Sequence, residues 1–127
     1  MKKNYSEKGY ALVILLFFMA LSVTVITAAV TLMIINSTSV NLYIIGNEAK
    51  TIAEAGAENA VLRLLRDPQY SGELMTVGNG TAQITITGTN PKTIISKGTV
   101  DNQICKIEVI ADISNNILTI SSWKEIL

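Results

Sequence analysis

Hydrophobic and polar positions divide the chain into three stretches with different periods. Residues 1–8, Met1-Lys2-Lys3-Asn4-Tyr5-Ser6-Glu7-Lys8, form a short polar leader that ends at Gly9. From there an apolar run meets no Asp, Glu, Lys or Arg until Glu48 and is interrupted only by scattered hydroxyl and amide groups. The 26 residues from Tyr10 to Ile35 predict a helix of about 39 Å, enough to cross a hydrocarbon core of about 30 Å. Ser22, Thr24, Thr27 and Thr31 are compatible with lipid, because helical hydroxyls bond back to carbonyls of their own helix.

The second stretch has a helical period. Asn36-Ser37-Thr38-Ser39 is polar but holds no Gly or Pro, and reads as a crossing of the membrane interface. At Gly46-Asn47 a bend or local melting is expected, since Gly costs about 1 kcal/mol relative to Ala inside a helix. Ile45, Ile52, Ala53, Ala57, Ala60, Val61, Leu64 and Leu65 recur at three- and four-residue steps and predict one apolar stripe. Glu54 and Glu58 fall together on another face, read as an ordinary solvated one rather than an acid/base dyad. The alanines permit close approach, either to the chain's own sheet or to helices of neighbouring subunits. Pro68 ends the helix, with Arg63 and Arg66 near its negative end.

Beyond Pro68 the period falls to two. A short run from Glu73 to Val77, the turn Gly78-Asn79-Gly80, and Thr81 to Thr87 predict a hairpin with Ala82, Ile84 and Ile86 inward. After the breaker Asn90-Pro91, Thr93 to Val100 turns at Asp101-Asn102 into Gln103 to Ile113, where Cys105, Ile107, Val109, Ala111 and Ile113 share a face. Asn115-Asn116 then leads to a last strand, Ile117 to Trp123. The expected fold class is α+β: a long helix of about 55 residues, transmembrane in one half and amphipathic in the other, packed on a small antiparallel β-sheet of four or five strands. The segments are 1–9 (leader), 10–35 (membrane helix), 36–67 (amphipathic continuation) and 68–127 (β head).

Composition narrows the chemistry. Ten basic and ten acidic residues balance, and without residues 1–9 seven basic face nine acidic, a net of −2. No field draws in nucleic acid. A single cysteine rules out an intrachain disulfide, and with no histidine the common ligands and bases of metal and triad chemistry are missing. The reading is therefore of a non-enzymatic chain with no catalytic residue, no metal and no cofactor. Cys105 reads as a small buried hydrophobe and Trp123 as a strand-packing aromatic. Asn79-Gly80-Thr81 meets the glycosylation pattern only formally. Asp101-Asn102 with Asp112 and Asn115 is too sparse for a calcium loop.

Lys2, Lys3 and Lys8 place the N-terminus in the cytoplasm and the remainder outside, as a single-pass protein. A cleaved signal peptide would need a much shorter apolar core than this one, although Ala20-Leu21-Ser22 offers a small-residue site. A plain signal anchor accounts for length and lysines but gives Gly9 no task.

Lys8-Gly9-Tyr10-Ala11-Leu12-Val13 resembles the processing motif of type IV prepilins and pseudopilins, a short basic leader ending in Gly before an aromatic or Met residue. The resemblance implies cleavage between Gly9 and Tyr10 by a prepilin peptidase on the cytoplasmic side and N-methylation of Tyr10. It departs from most major pilins at the fifth mature residue, which is Ile14 where they have the assembly Glu. That favours a minor pilin or pseudopilin of the PilX or GspK kind, at or near a filament tip, where no further amine needs neutralising. Ala53-Glu54-Ala55-Gly56-Ala57-Glu58-Asn59-Ala60 resembles the Ala-Glu-Ala-Gly block of PilX-type pilins, and Ile95 to Val100 with Lys106 to Val109 is similar to their heads. The implied partners are other pilin subunits, the prepilin peptidase, the inner-membrane assembly machinery and, before assembly, membrane lipid. The alternative from another class is a signal-anchored surface receptor or adaptor outside any filament.

Overall fold

The computed structural model describes residues 6–126. One helix, α1 (Ser6–Arg66), precedes five strands: β1 (Leu74–Val77), β2 (Gly80–Thr87), β3 (Lys92–Val100), β4 (Gln103–Ser114) and β5 (Ile117–Ile126). The strands form one antiparallel sheet in the order β1-β2-β3-β4-β5, so each pairs with its neighbour in sequence. The chain divides into two compact units between Asn41 and Leu42.

In the first unit, α1 is apolar and exposed at every large hydrophobic position from Tyr10 to Ile35. Among the described residues, α1 is the one helix long and apolar enough to cross a membrane. Its hydroxyls are satisfied within the helix: Ser22 Oγ donates to the Phe18 carbonyl at 2.7 Å, Thr27 Oγ1 to Val23 at 2.8 Å and Thr31 Oγ1 to Thr27 at 2.8 Å. This local pairing removes the cost of a bare hydroxyl in hydrocarbon. Thr38 and Ser39 do the same one turn back, which is how the polar Asn36–Ser39 block continues the helix.

In the second unit, residues 42–66 of α1 cover one face of the sheet. Ala49, Ile52, Ala53, Ala57, Ala60 and Leu64 pack on Ala82, Ile84, Ile94, Val100, Cys105, Ile107, Val109 and Ala111. The alanine face thus meets the chain's own sheet. Close approach is sharpest at Gly98, where a Cβ would collide with the Ala49 carbonyl and the Ala53 nitrogen, and at Gly56, where it would meet Ser96 and Ala82. Two readings of the helix are corrected. No melting occurs at Gly46-Asn47, where α1 runs on as helix, since Ile45 and Ala49 anchor it to the core. Leu65 leaves the apolar stripe and is exposed, because it lies about 100° round the helix from Leu64, which takes the buried position.

The helix ends at an Asp67 turn: the Asp67 amide donates to the Arg63 carbonyl at 2.8 Å, and Asp67 Oδ1 accepts from the Gln69 amide at 2.9 Å. Two-residue loops join β1 to β2, β3 to β4 and β4 to β5. In the last, Asn115 and Asn116 both have positive φ, the backbone that suits the right-handed strand twist and that Asn tolerates. Asn90, half of the expected breaker and followed by a cis peptide bond, clasps the end of β4 by donating to the Ile113 carbonyl and accepting from its amide. β5 is three residues longer than its sequence pattern. It carries a bulge at Ser121, since Ile110 pairs with Ser122 and Ala111 with Ile120, and Ser121 Oγ donates to the Ile110 carbonyl at 3.2 Å.

Candidate functional site

The residues assigned a function by the sequence lie at the start of α1. Gly9 and Tyr10 are both helical. The space where a Gly9 side chain would stand is open, and Tyr10 is 72% exposed. Ile14 follows Tyr10 by four residues, hence on the same helix face, and is 40% exposed. The leader residues Met1 to Tyr5, including Lys2 and Lys3, lie outside the described residues.

Among the described residues no three His, Cys, Asp or Glu side chains are placed to hold a metal ion. On α1, Glu54 is half-buried and Glu58 is exposed. Cys105 is 8% exposed on the inner face of β4. Burial pushes its thiol pKa up and the Glu125 carboxylate adds to the rise, while Lys50 opposes it. A thiol held protonated in this way is a poor nucleophile.

Two polar clusters that sequence reasoning missed tie α1 to the sheet. Lys50 Nζ meets Glu125 Oε2 at 3.1 Å; the hydrogen bond and the opposite charge raise the lysine pKa and lower that of the carboxylate. In the other cluster, Glu73 Oε1 accepts from Arg63 Nε at 3.0 Å and from Asn59 Nδ2 at 3.1 Å. Arg63 also stacks over Tyr70, 5.6 Å from the ring centre. The Tyr70 hydroxyl is buried without a full hydrogen bond, and its pKa rises through burial first and the Glu73 carboxylate second, against the pull of Arg63. A recess of about 430 Å³ beside it is lined by Asn59, Leu62, Arg63, Arg66, Asp67 and Tyr70. Both clusters join residues far apart in sequence, with no local spacing to reveal them.

Trp123 is opposite Val109 on the edge strand β5 and 40% exposed. No family model, curated protein or solved structure matches the chain.

Proposed function

We propose that this chain is a structural subunit, a minor pilin or pseudopilin, of a type IV pilus or a related secretion filament. The observation that carries the reading is the apolar surface of α1. In the first unit the 26 residues from Tyr10 to Ile35 amount to about 39 Å of helix, against a hydrocarbon core of about 30 Å. Leu42, Tyr43 and Ile44 in the second unit are open as well. A plain anchor needs about 20 apolar residues. The surplus is apolar surface that water does not favour and that helices of like subunits can cover.

In this reading the chain enters the membrane with its N-terminus in the cytoplasm and its β head outside. A prepilin peptidase hydrolyses the amide between Gly9 and Tyr10, and the freed Tyr10 amine is N-methylated. Lipid then solvates α1 until the assembly machinery withdraws it into the filament. Ile14 supports a place at or near the tip. It lies one turn from Tyr10, where a carboxylate could pair with an amine in a shaft, and an apolar side chain there avoids an unpaired charge in lipid.

Shearing of surface filaments from a host with a prepilin peptidase tests the assignment. The processed chain is expected in the sheared fraction together with other pilin subunits. A chain that stays wholly in the membrane fraction at full length belongs to the signal-anchored receptor or adaptor class.

A further inference from the structure

The two edges of the sheet differ. β1 is four residues long, and the segment before it stays on β2: the Ile84 amide donates to the Glu73 carbonyl at 2.8 Å and the Ile86 amide to the Ser71 carbonyl at 3.1 Å. β5 is ten residues long and pairs with β4 along one side. Among the described residues no strand lies along its other side, which leaves a row of backbone N–H and C=O groups of the kind that lets a sheet take up a further chain. Proteins commonly blunt such an edge with lysine or proline, yet Ile117 to Trp123 holds no charged residue and no proline. Lys124 and Glu125 follow, and each is engaged within the unit, by Glu108 at 2.8 Å and by Lys50 at 3.1 Å.

The side chains along this edge suit a neighbour. Ile120 and Trp123 stand opposite Ala111 and Val109, which are fully buried, yet Ile120 is 44% and Trp123 40% exposed. A strand laid beside β5 sets its own inward side chains against these two, in cross-strand contacts of the aromatic and β-branched type that stabilise sheets. On the opposite face Ile117 and Thr119 are exposed and uncharged. The bulge at Ser121 pins the register that such a strand takes.

We propose that the free edge of β5, from Ile117 to Trp123, is a β-augmentation site for an extended strand of an unlike subunit, with apolar side chains at alternate positions turned toward Ile120 and Trp123. The backbone identifies the occupant, because an extended strand repeats its donors and acceptors at the spacing of the row it meets. A second copy of this chain fits poorly. Two β5 edges joined antiparallel are related by a two-fold axis normal to the sheet, which reverses residues 42–66 of α1 between the copies, whereas the filament reading inserts every chain in one sense. The β1 edge of a second copy offers four residues. On the filament reading, which this contact rests on, the partner is a different pilin subunit. One edge takes one partner and the contact does not repeat, as a place at or near the tip requires.

The test uses the full chain in phosphatidylcholine nanodiscs, with a fluorescein-labelled octapeptide of alternating threonine and valine as the probe strand. Saturable binding by anisotropy is expected, with hydrogen exchange of the β5 amides slowed at least tenfold and that of the β1 amides unchanged. N-methylation of the peptide amides along one of its edges should lower affinity at least tenfold, and along the other leave it unchanged, since a strand pairs through one edge. Equal loss from both patterns, no loss from either, or no binding at all overturns the site. In cells with a prepilin peptidase, benzoylphenylalanine placed at Thr119 should photo-couple to a strand of an identified unlike pilin subunit, mapped by mass spectrometry, and coupling to a second copy of this chain overturns the proposed partner. Benzoylphenylalanine at Phe17, which is exposed on α1, reports separately on association through the membrane helix. Coupling from position 17 without coupling from position 119 overturns the edge contact alone, and coupling from neither overturns it together with the filament reading.

Discussion

Lys50 and Glu125 meet at 3.1 Å, joining the helix that covers the sheet to the edge strand that closes it. The pair predicts an acid-sensitive increment of stability. The lysine amine holds the Glu125 carboxyl below its ordinary value, so the increment is present above the unfolded carboxylate pKa of about 4.3 and is lost as pH falls through the lower folded value. Thermal melts should show wild type above Glu125→Gln at pH 6, with the gap closing toward pH 3. Both side chains are about half exposed, so 1 M salt should close it as well.

The same neighbourhood governs Cys105. Burial and the Glu125 carboxylate keep the thiol protonated, so iodoacetamide at neutral pH should label the native chain at least tenfold more slowly than the urea-unfolded chain, read by intact mass. Glu125→Gln removes the anion and should speed native labelling. Labelling as fast in the native chain as in the unfolded one would contradict the burial.

Where the helix touches the sheet, two substitutions should act in opposite directions. Ser96 is fully buried and its hydroxyl has no hydrogen-bond partner. Ser96→Ala should therefore raise stability by about 1 kcal/mol. Gly98→Ala drives a methyl onto the Ala49 carbonyl and the Ala53 nitrogen and should cost about 1–3 kcal/mol. Urea titration followed by Trp123 fluorescence measures both.

Much of this fold was legible in the chain because its signals are local. The shift from a helical to a two-residue period at Pro68, the Asn115-Asn116 turn, and the shared face of Cys105, Ile107, Val109 and Ala111 depend on neighbours in sequence, and each appears in the structure. Ion pairs such as Lys50 with Glu125 and Arg63 with Glu73 depend on which strand comes to lie beside which helix turn, and periodicity does not encode that. The unbroken helix at Gly46 has the same cause. Intrinsic propensity argues for a weak point, and packing of Ile45 and Ala49 on the sheet outweighs about 1 kcal/mol of glycine cost. At the candidate site, Gly9, Tyr10, Ile14 and the apolar run that follows are local signals of the sequence, and the structure adds that the three are helical and that Tyr10 and Ile14 are exposed.

Gly9→Leu places a large side chain at the open position before Tyr10. It should block processing, so that the full-length chain accumulates in membranes and is absent from sheared filaments on immunoblots. Normal incorporation of this variant would contradict the role assigned to Gly9.

Ile14→Glu puts a carboxylate one turn from Tyr10, where it can pair with an amine. The variant should spread from the filament end into the shaft, as seen by immunogold labelling. Labelling unchanged from wild type would count against the tip position.

The most direct measurement is the intact mass and N-terminal sequence of the chain recovered from cells that possess a prepilin peptidase. The account predicts a chain that begins at Tyr10 and carries one added methyl group on its terminal nitrogen. A chain that retains Met1, or one that begins near Val23, would contradict it.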